Sequence, residues 1–526
     1  MKTLTLTTAF LTVMVVHVSA TTHYVDLNST NPVSPYMSWA TAATNIQDAV
    51  KTASTFDTVL VTNGIYETGG AVFSSMSNRV YVATGIILKS VNGPSVTFIK
   101  GHWDPNTNGP TAVRCVYLQN SATLSGFTLT NGAVYGGVNG GGVYCESTTA
   151  TVTNCIITGN TAYYLYGGAA GGGAYSGTLL NCVISNNTAR NGGGVSSSTL
   201  VNCRVIGNST GGPIGSAIGN GGGVVRCNLT NCIVANNWAG YEGGGAISST
   251  LVGCIVSDNY CGDYGAGGTF SGTLINCTVV NNSGGGCGGV YGSVVENSIV
   301  YYNTNRNSGF PTNGTGKFTN CCIIPLPSSV PLPSSGWNNF TNPPLFEDLA
   351  DEDFHLQSNS PCINAGNNSY LTNVFTHASV KTDLDGNPRI SGGTVDIGAY
   401  EFQNPASIIS YAWLQQFGLT NNGSADFADT DGDGMNNWQE WRTGTIPTDP
   451  SSLLKMTTVA NDVSGMTVTW QSVSGVIYFL QSSTDFTAQP AFSTIQTDIT
   501  GLPGTTSYTD TDATGAGPYF YRVGVQ

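Results

Sequence analysis

Leu200-Val-Asn-Cys-Arg-Val205 is one copy of a phrase that runs through residues 140–320. The others are Val152-Thr-Asn-Cys-Ile-Ile157, Leu179-Leu-Asn-Cys-Val-Ile184, Leu229-Thr-Asn-Cys-Ile-Val234, Leu251-Val-Gly-Cys-Ile-Val256 and Leu274-Ile-Asn-Cys-Thr-Val279, with a worn copy at Val295-Glu-Asn-Ser-Ile-Val300. Each is followed by Asn or Asp-Asn, a variable loop, and glycines such as Gly192-Gly-Gly-Val195 or Gly221-Gly-Gly-Val224. The step between copies is about 21 to 29 residues, inside the range that marks solenoids. β-branched runs punctuated by Gly and Asn turns, with no helical periodicity, make each repeat one coil of a parallel β-helix. The fold class is all-β.

Side chains alternate along a strand. If each copy is one strand, Val201, Cys203 and Val205 share a face, as do Ile275, Cys277 and Val279. Turned inward, the cysteines stack about 4.8 Å apart on successive coils. A small, apolar, commonly buried residue suits a ladder of free thiols, although the spacing also falls in the Cα range that a disulfide needs. Parallel stacking aims the side chains alike rather than at one another, which favours thiols.

A chain of 526 residues with 9% charged residues and 69 glycines is a multidomain, repetitive β protein. The net charge of −14 is unevenly spread. Residues up to Lys317 are nearly neutral, whereas from Glu347 onward acidic residues outnumber basic ones fourfold. The coil offers no basic stripe for nucleic acid, and a polyanionic sugar usually calls for a positive groove. Residues 1–20 read as a signal peptide: Lys2, an apolar run over residues 4–18, and the small-residue site Val18-Ser-Ala20. The apolar run is too short to span a membrane. The mature chain is expected to start near Thr21, without a transmembrane segment, and to work outside the cell or at its surface.

Apolar residues at Ala42, Ile46, Ala49 and Val50 share a helical face ahead of the strand-and-turn Asp57-Thr-Val-Leu-Val-Thr-Asn-Gly-Ile-Tyr66. This opening resembles the pectin-lyase-like superfamily of right-handed parallel β-helices, and the resemblance implies a helix closing the first coil. The β-helix is expected over residues 21–345, with the Pro- and Ser-rich residues 325–344 as rim or linker. Asp353-Phe-His-Leu-Gln-Ser-Asn-Ser-Pro-Cys-Ile-Asn-Ala-Gly366, Thr382-Asp-Leu-Asp-Gly-Asn-Pro-Arg389 and Val395-Asp-Ile-Gly-Ala-Tyr-Glu401 resemble the choice-of-anchor Q family of exported bacterial β-helix proteins. By that resemblance residues 346–403 form the C-terminal cap; from the residues themselves, Arg389 with Asp396 or Glu401 is expected as an ion pair that closes the last coil.

Residues 404–452 carry a short helix and then Asp429-Thr-Asp-Gly-Asp-Gly-Met-Asn-Asn-Trp-Gln-Glu440. This satisfies D-x-D-x-D-G-x5-E, the oxygen-rich loop of an EF-hand. Asp429, Asp431, Asp433, the backbone of Met435 and Glu440 are the expected calcium ligands, with Asn437 acting directly or through water. Three carboxylates this close repel one another unless a cation intervenes. The segment resembles a single dockerin-like EF-hand, and with one loop rather than two it is expected as a calcium-stiffened spacer. Residues 453–526 have the short strands of a small β-sandwich, loosely similar to fibronectin type III modules.

The variable loops fall on one side of the coil. They carry Tyr163, Tyr164, Tyr166, Trp238, Tyr241, Tyr260 and Tyr264, together with Tyr301, Tyr302, Arg190, Arg306, Glu242 and Asp263. Aromatic faces pack on sugar C–H surfaces while their polar tips stay wet, so a polysaccharide or surface glycan is the expected partner. Arg190, Glu242 and Asp263 are the candidates if the face is catalytic. A polysaccharide lyase or glycoside hydrolase of pectin-lyase-like fold is the alternative function, and a structural adhesin is the third. The polygalacturonase motifs and the clustered acids of a pectate lyase calcium site are missing from the coil.

Overall fold

The structure, a computed structural model, describes residues 20–103, 109, 111–162, 168–211, 219–262, 264–307, 316–324, 339–371, 380–462, 464–515 and 517–526. The proposed signal peptide, most of the Pro-rich stretch, Tyr163, Tyr164, Tyr166 and Asp263 lie outside the described residues.

Four long sheets run the length of a parallel β-helix. One coil contributes Thr151–Thr153 to sheet I, Ile156–Thr158 to sheet II, Thr161–Ala162 to sheet III and Ala174–Tyr175 to sheet IV. Sheets I and II have 12 strands each, sheet III has 8 and sheet IV has 10. All rungs pair in parallel register apart from a short antiparallel hairpin, Ala71–Phe73 with Met76–Val82, at the start of sheet IV.

Each copy of the phrase is two strands rather than one. Asn202 adopts φ 53°, and Asn154, Asn181, Asn231 and Asn276 are equally left-handed, a conformation that asparagine tolerates better than most residues. The bend separates Thr199–Val201 on sheet I from Arg204–Ile206 on sheet II. It also resets the alternation: Leu200, Cys203 and Val205 are buried, while Val201 faces outward, against the single-strand expectation. The variant copy with Gly253 fits the same geometry, since its φ is 63°. Of the second expected trio, Cys277 and Val279 lie in the core with Leu274, and Ile275 does not join that cluster.

Two polar ladders run through the coil. One Asn per coil, after an Asn, Asp, Gly or Tyr at the turn, is buried: Asn187, Asn208, Asn237, Asn259, Asn282 and Asn303. Each Oδ1 accepts the main-chain N–H of its counterpart one coil earlier, as in Asn208 to Asn237 at 2.9 Å and Asn237 to Asn259 at 3.0 Å. At the corner between sheets I and II the cysteines stack, and Cys182, Cys203 and Cys232 each donate their N–H to the sulfur of the next coil at 3.3–3.4 Å. Ser298 replaces cysteine in the worn copy and accepts from Cys277 at 2.9 Å. All fourteen cysteines are free and buried. The glycine run packs rung on rung: a Cβ on Gly193 would lie 2.3 Å from the Ser209 carbonyl, so the coil closes only without one.

At the N-terminal end, helix α1 (Ile46–Thr52) is capped by the Asn45 side chain and puts Ile46, Ala49 and Val50 into the core. At the other end, residues 346–425 do not plug the last coil. The described residues 346–371 and 380–425 lie along the outer face of sheet II, where Phe346, Phe354, Ile363, Ile397 and the residues Tyr411, Trp413 and Leu414 of helix α2 (Tyr411–Gln416) share a core with Ile255, Val280 and Ile299 of the coil. The side-chain amides of Asn231 and Asn276 and the main chain of Asn297 bind this cover at Asp383, Asp396 and Gly398. Arg389 is buried within it, but its guanidinium donates to the carbonyls of Ala399 and Gly398. The carboxylates of Asp396 and Glu401 accept main-chain N–H groups instead, so the expected ion pair is replaced by a hydrogen-bonded polar core. Residues 456–525 form two three-stranded antiparallel sheets around Val468, Trp470, Tyr478 and Leu480.

Candidate functional site

Sheet III carries an outward column of Thr161, Thr188, Ser209, Trp238, Tyr260, Ser283 and Thr304, one per rung. Short hydroxyl side chains on most rungs leave the two rings standing above the sheet. After Trp238 and Tyr260 the chain turns toward sheet IV and brings out Tyr241 and Tyr264. Their rings lie 5.5 Å apart at 51° and are 41% and 68% exposed. The Arg306 guanidinium sits 5.3 Å from the Tyr260 ring centre, a cation–π contact that leaves the charge near the patch. Four expected aromatics therefore come together on two adjacent rungs.

Of the expected catalytic candidates, the described residues Arg190 and Glu242 stand on different rungs. Asn191, Asn220 and Glu242 pair in register, and Tyr241 donates its N–H to Gly219, the residue before Asn220. Arg190 thus sits two rungs from Glu242, about 10 Å away along the axis, too far to act on one atom together. Tyr301 stands on sheet II, in the core shared with the side cover, rather than on this face: it is buried and donates its hydroxyl to Thr341 at 2.9 Å, with Tyr302 edge-on at 4.7 Å.

Sheet IV holds a second aromatic column that was not expected. Tyr81, Tyr117, Tyr144 and Tyr175 occupy one register position on successive rungs, followed by Ser196, Val225, Ile247, Phe270 and Tyr291. Neighbouring rings are 5.1–5.6 Å apart and 17–30° from parallel. Arg114, buried, reaches within 5.2 Å of the Tyr144 ring centre. The sequence signal was Gly-Gly-x-aromatic, at Gly141-Gly-Val-Tyr144, Gly172-Gly-Ala-Tyr175, Gly267-Gly-Thr-Phe270 and Gly288-Gly-Val-Tyr291. These tyrosines stack face to face on one another, so the column brings ring edges rather than free platforms to solvent.

The acidic loop brings its three aspartates together. Oxygens of Asp429, Asp431 and Asp433 lie within 4.8 Å of one another. Asp429 accepts from the N–H of Gly432 and Gly434, and the latter turns with φ 97°. Glu440, on helix α3 (Asn437–Thr443), is fully buried, yet neither of its carboxylate oxygens has a hydrogen-bond partner. One oxygen each of Asp431 and Asp433 is equally without a partner. Burial, with the charges of Asp431, Asp433 and Asp429 adding to it, pushes the Glu440 carboxyl up to about 8. A buried carboxylate facing three others is costly unless paired, and a hard cation with oxygen ligands removes that cost. Asn437 has a structural role in the loop: its oxygen accepts the Thr430 hydroxyl at 2.9 Å and its amide donates to Ala425 at 2.7 Å.

No family model matches the chain, and no curated protein does. Among solved structures it is similar to the A-module of a mannuronan C-5 epimerase from Azotobacter vinelandii, at 13% identity and TM-score 0.29 over 52% of this chain and 90% of that one. It is also similar to tailspike protein 2 of the Escherichia coli O157:H7 bacteriophage CAB120, at 11% identity and TM-score 0.25 over 87% and 56%. A surface adhesin of Streptococcus pneumoniae matches at 10% identity and TM-score 0.20 over 58% and 93%. Scores this low do not decide the fold, which rests on the four parallel ladders themselves. Among the described residues no helix is long and apolar enough to cross a membrane.

Proposed function

We propose that this chain is an exported β-helix protein that binds polysaccharide across the aromatic patch of sheet III, with calcium held by the acidic loop near its C-terminal sandwich. The observation that supports the binding reading is the exposed Tyr241–Tyr264 pair beside Trp238 and Tyr260, on a sheet otherwise faced with Thr and Ser. Sugar rings take up such faces through C–H contact. Glu242 beside the patch and Arg306 on Tyr260 leave it without a strong sign of charge, which favours a neutral or weakly acidic glycan. The two-rung gap between Arg190 and Glu242 favours binding over turnover.

The test scores binding and product release on one panel of neutral and acidic polysaccharides. Tyr264→Ala or Tyr241→Ala is expected to weaken binding about tenfold, which corresponds to ~1.4 kcal/mol. Product release lost on Arg190→Ala or Glu242→Ala makes the face an active site of a lyase or hydrolase. Neither binding nor release leaves a structural adhesin. For calcium, titration with the ion and with a chelator against Glu440→Gln is the direct assay.

A further inference from the structure

The acidic loop is not a spacer between two independent bodies. Its helix α3 is wedged between the side cover of the coil and the terminal sandwich. Trp441, the residue after Glu440, packs against the cover's apolar core, the core that also holds Ile299 of the coil. Asp426, just before the loop, is buried and accepts from the Ser407 hydroxyl and the Ile408 N–H of the cover. On the other side, Arg442 donates to the Gln526 carbonyl at 3.1 Å. The helix ends at Gly444 in a left-handed turn, where a Cβ would sit 3.3 Å from Val473 and from Val476 of the sandwich. Within the loop, the Met435 sulfur accepts the N–H of Leu454 at 3.3 Å. A cavity of about 370 Å³ at this junction is lined by Asn367, Thr394 and Ser410 of the cover, Trp441 and Arg442 of the helix, and Ile477 of the sandwich.

We infer that cation binding in this loop is the clamp that seats the terminal sandwich against the coil, a step that rests on the calcium reading above. The argument turns on Glu440. Its buried carboxylate has no partner in the protein and faces three aspartates, so without a cation it gains by moving out to water. It projects from the middle of a helix of seven residues, so hydrating it displaces the whole helix. Trp441 and the Gly444 turn, which hold the cover and the sandwich, move with it. A cation at Asp429, Asp431, Asp433 and Glu440 fixes α3 and both of its contacts at once. An intact clamp therefore binds the cation more tightly than a loose one, since ligation and docking are linked.

The experiment uses the full mature chain, with limited proteolysis and hydrogen exchange followed across residues 426–460 in calcium or in chelator, and with terbium luminescence reporting occupancy independently. At a calcium concentration 100 times its Kd, junction opening and cleavage are expected to slow about 100-fold, and Glu440→Gln is expected to abolish both occupancy and protection. Trp441→Ala leaves the loop ligands intact; it is expected to bind the ion more weakly and to lose most of the protection. Occupancy that leaves exchange and cleavage at the junction unchanged overturns the clamp while the calcium site stands. No occupancy at millimolar calcium or terbium in the wild-type chain overturns the calcium reading itself. Protection in Trp441→Ala equal to that of the wild type also overturns the clamp.

Discussion

Asn237→Ala removes one rung of the asparagine ladder, and the structure sets its cost. The side chain is fully buried. Its oxygen accepts the main-chain N–H of Asn208 at 2.9 Å and the Asn208 amide at 3.0 Å, while its own amide donates to the Val205 carbonyl and to Asn259, both at 2.9 Å. Truncation leaves the Asn208 N–H without its acceptor in a core closed to water, while the Val205 carbonyl loses this second donor but keeps the ladder position that pairs Val205 with Val234. The Asn208 amide still reaches Ile184 at 2.9 Å, and the Asn259 oxygen still accepts the residue 237 N–H at 3.0 Å. One orphaned main-chain N–H at about 1–3 kcal/mol, with the lost bonds to Val205 and Asn259 at about 0.5–1.5 kcal/mol each, predicts a loss of about 2–6 kcal/mol. The neighbouring Asn236 is the control. It is exposed, with φ 56°, so Asn236→Ala carries only left-handed strain of about 1 kcal/mol. Denaturant unfolding of the two variants, with hydrogen exchange at the adjoining rungs, makes the comparison. Equal stability of the two variants refutes the ladder as a principal support of the coil.

All fourteen cysteines are buried, so a thiol reagent is expected to react with none of them in the folded chain and with all of them in denaturant; a lower count in denaturant reveals disulfides. Cys232→Ser, which copies the natural Ser298 rung, is expected to cost less than Cys232→Ala, which leaves the Cys203 N–H without an acceptor. His355 stacks on Tyr400 and bridges Asp353 and Asp385 at 2.5 and 2.7 Å. Burial pulls its pKa down, but the bonds to Asp385 and Asp353 outweigh that and leave it raised. A raised histidine pKa stabilises fully below the unfolded value of about 6.5 and loses that contribution as pH rises through the folded value; stability measured from pH 5 to 9 is expected to fall in this window, and His355→Gln is expected to flatten the fall. Tyr144→Ala, which breaks two ring stacks, is expected to cost about 1–3 kcal/mol and to leave polysaccharide binding unchanged, whereas Tyr264→Ala is expected to weaken binding with little change in melting temperature.

The coil was legible because its repeat is chemically simple. An apolar pair, a turn-forming Asn and a small buried Cys recur at a length that only a β-solenoid accommodates. What misled was parity: a six-residue apolar run reads as one strand, and only the left-handed conformation of Asn202 splits it and moves Val201 outward. The side cover was misplaced for a different reason. Ile233, Ile255 and Ile299 stand at outward positions of sheet II, and that apolar column, beyond the core's needs, was the available sign that something covers it. In the acidic loop the carboxylates of Asp429, Asp431 and Asp433 are each held by main-chain N–H groups of the local turn, so their closeness follows from their spacing. Asn437 was assigned by position in a motif, and its bonds to Thr430 and Ala425 follow from neighbours that the motif does not specify.

The two aromatic columns show why residue type alone does not locate a site on a solenoid. Sheet IV puts rings on four consecutive rungs, and the rung spacing of about 4.8 Å is close to the thickness at which aromatic rings stack. Each face is then covered by the next ring, and the gain goes to holding the coils together. Sheet III puts rings on two rungs only, between Ser209 and Ser283, and adds Tyr241 and Tyr264 from the turn, tilted at 51° and open to solvent. A ring stacked within a run is spent on its neighbours, whereas Tyr264, 68% exposed, keeps most of its surface open. On this coil exposure, rather than ring type, sets the candidate patch of sheet III apart from the tyrosine stack of sheet IV.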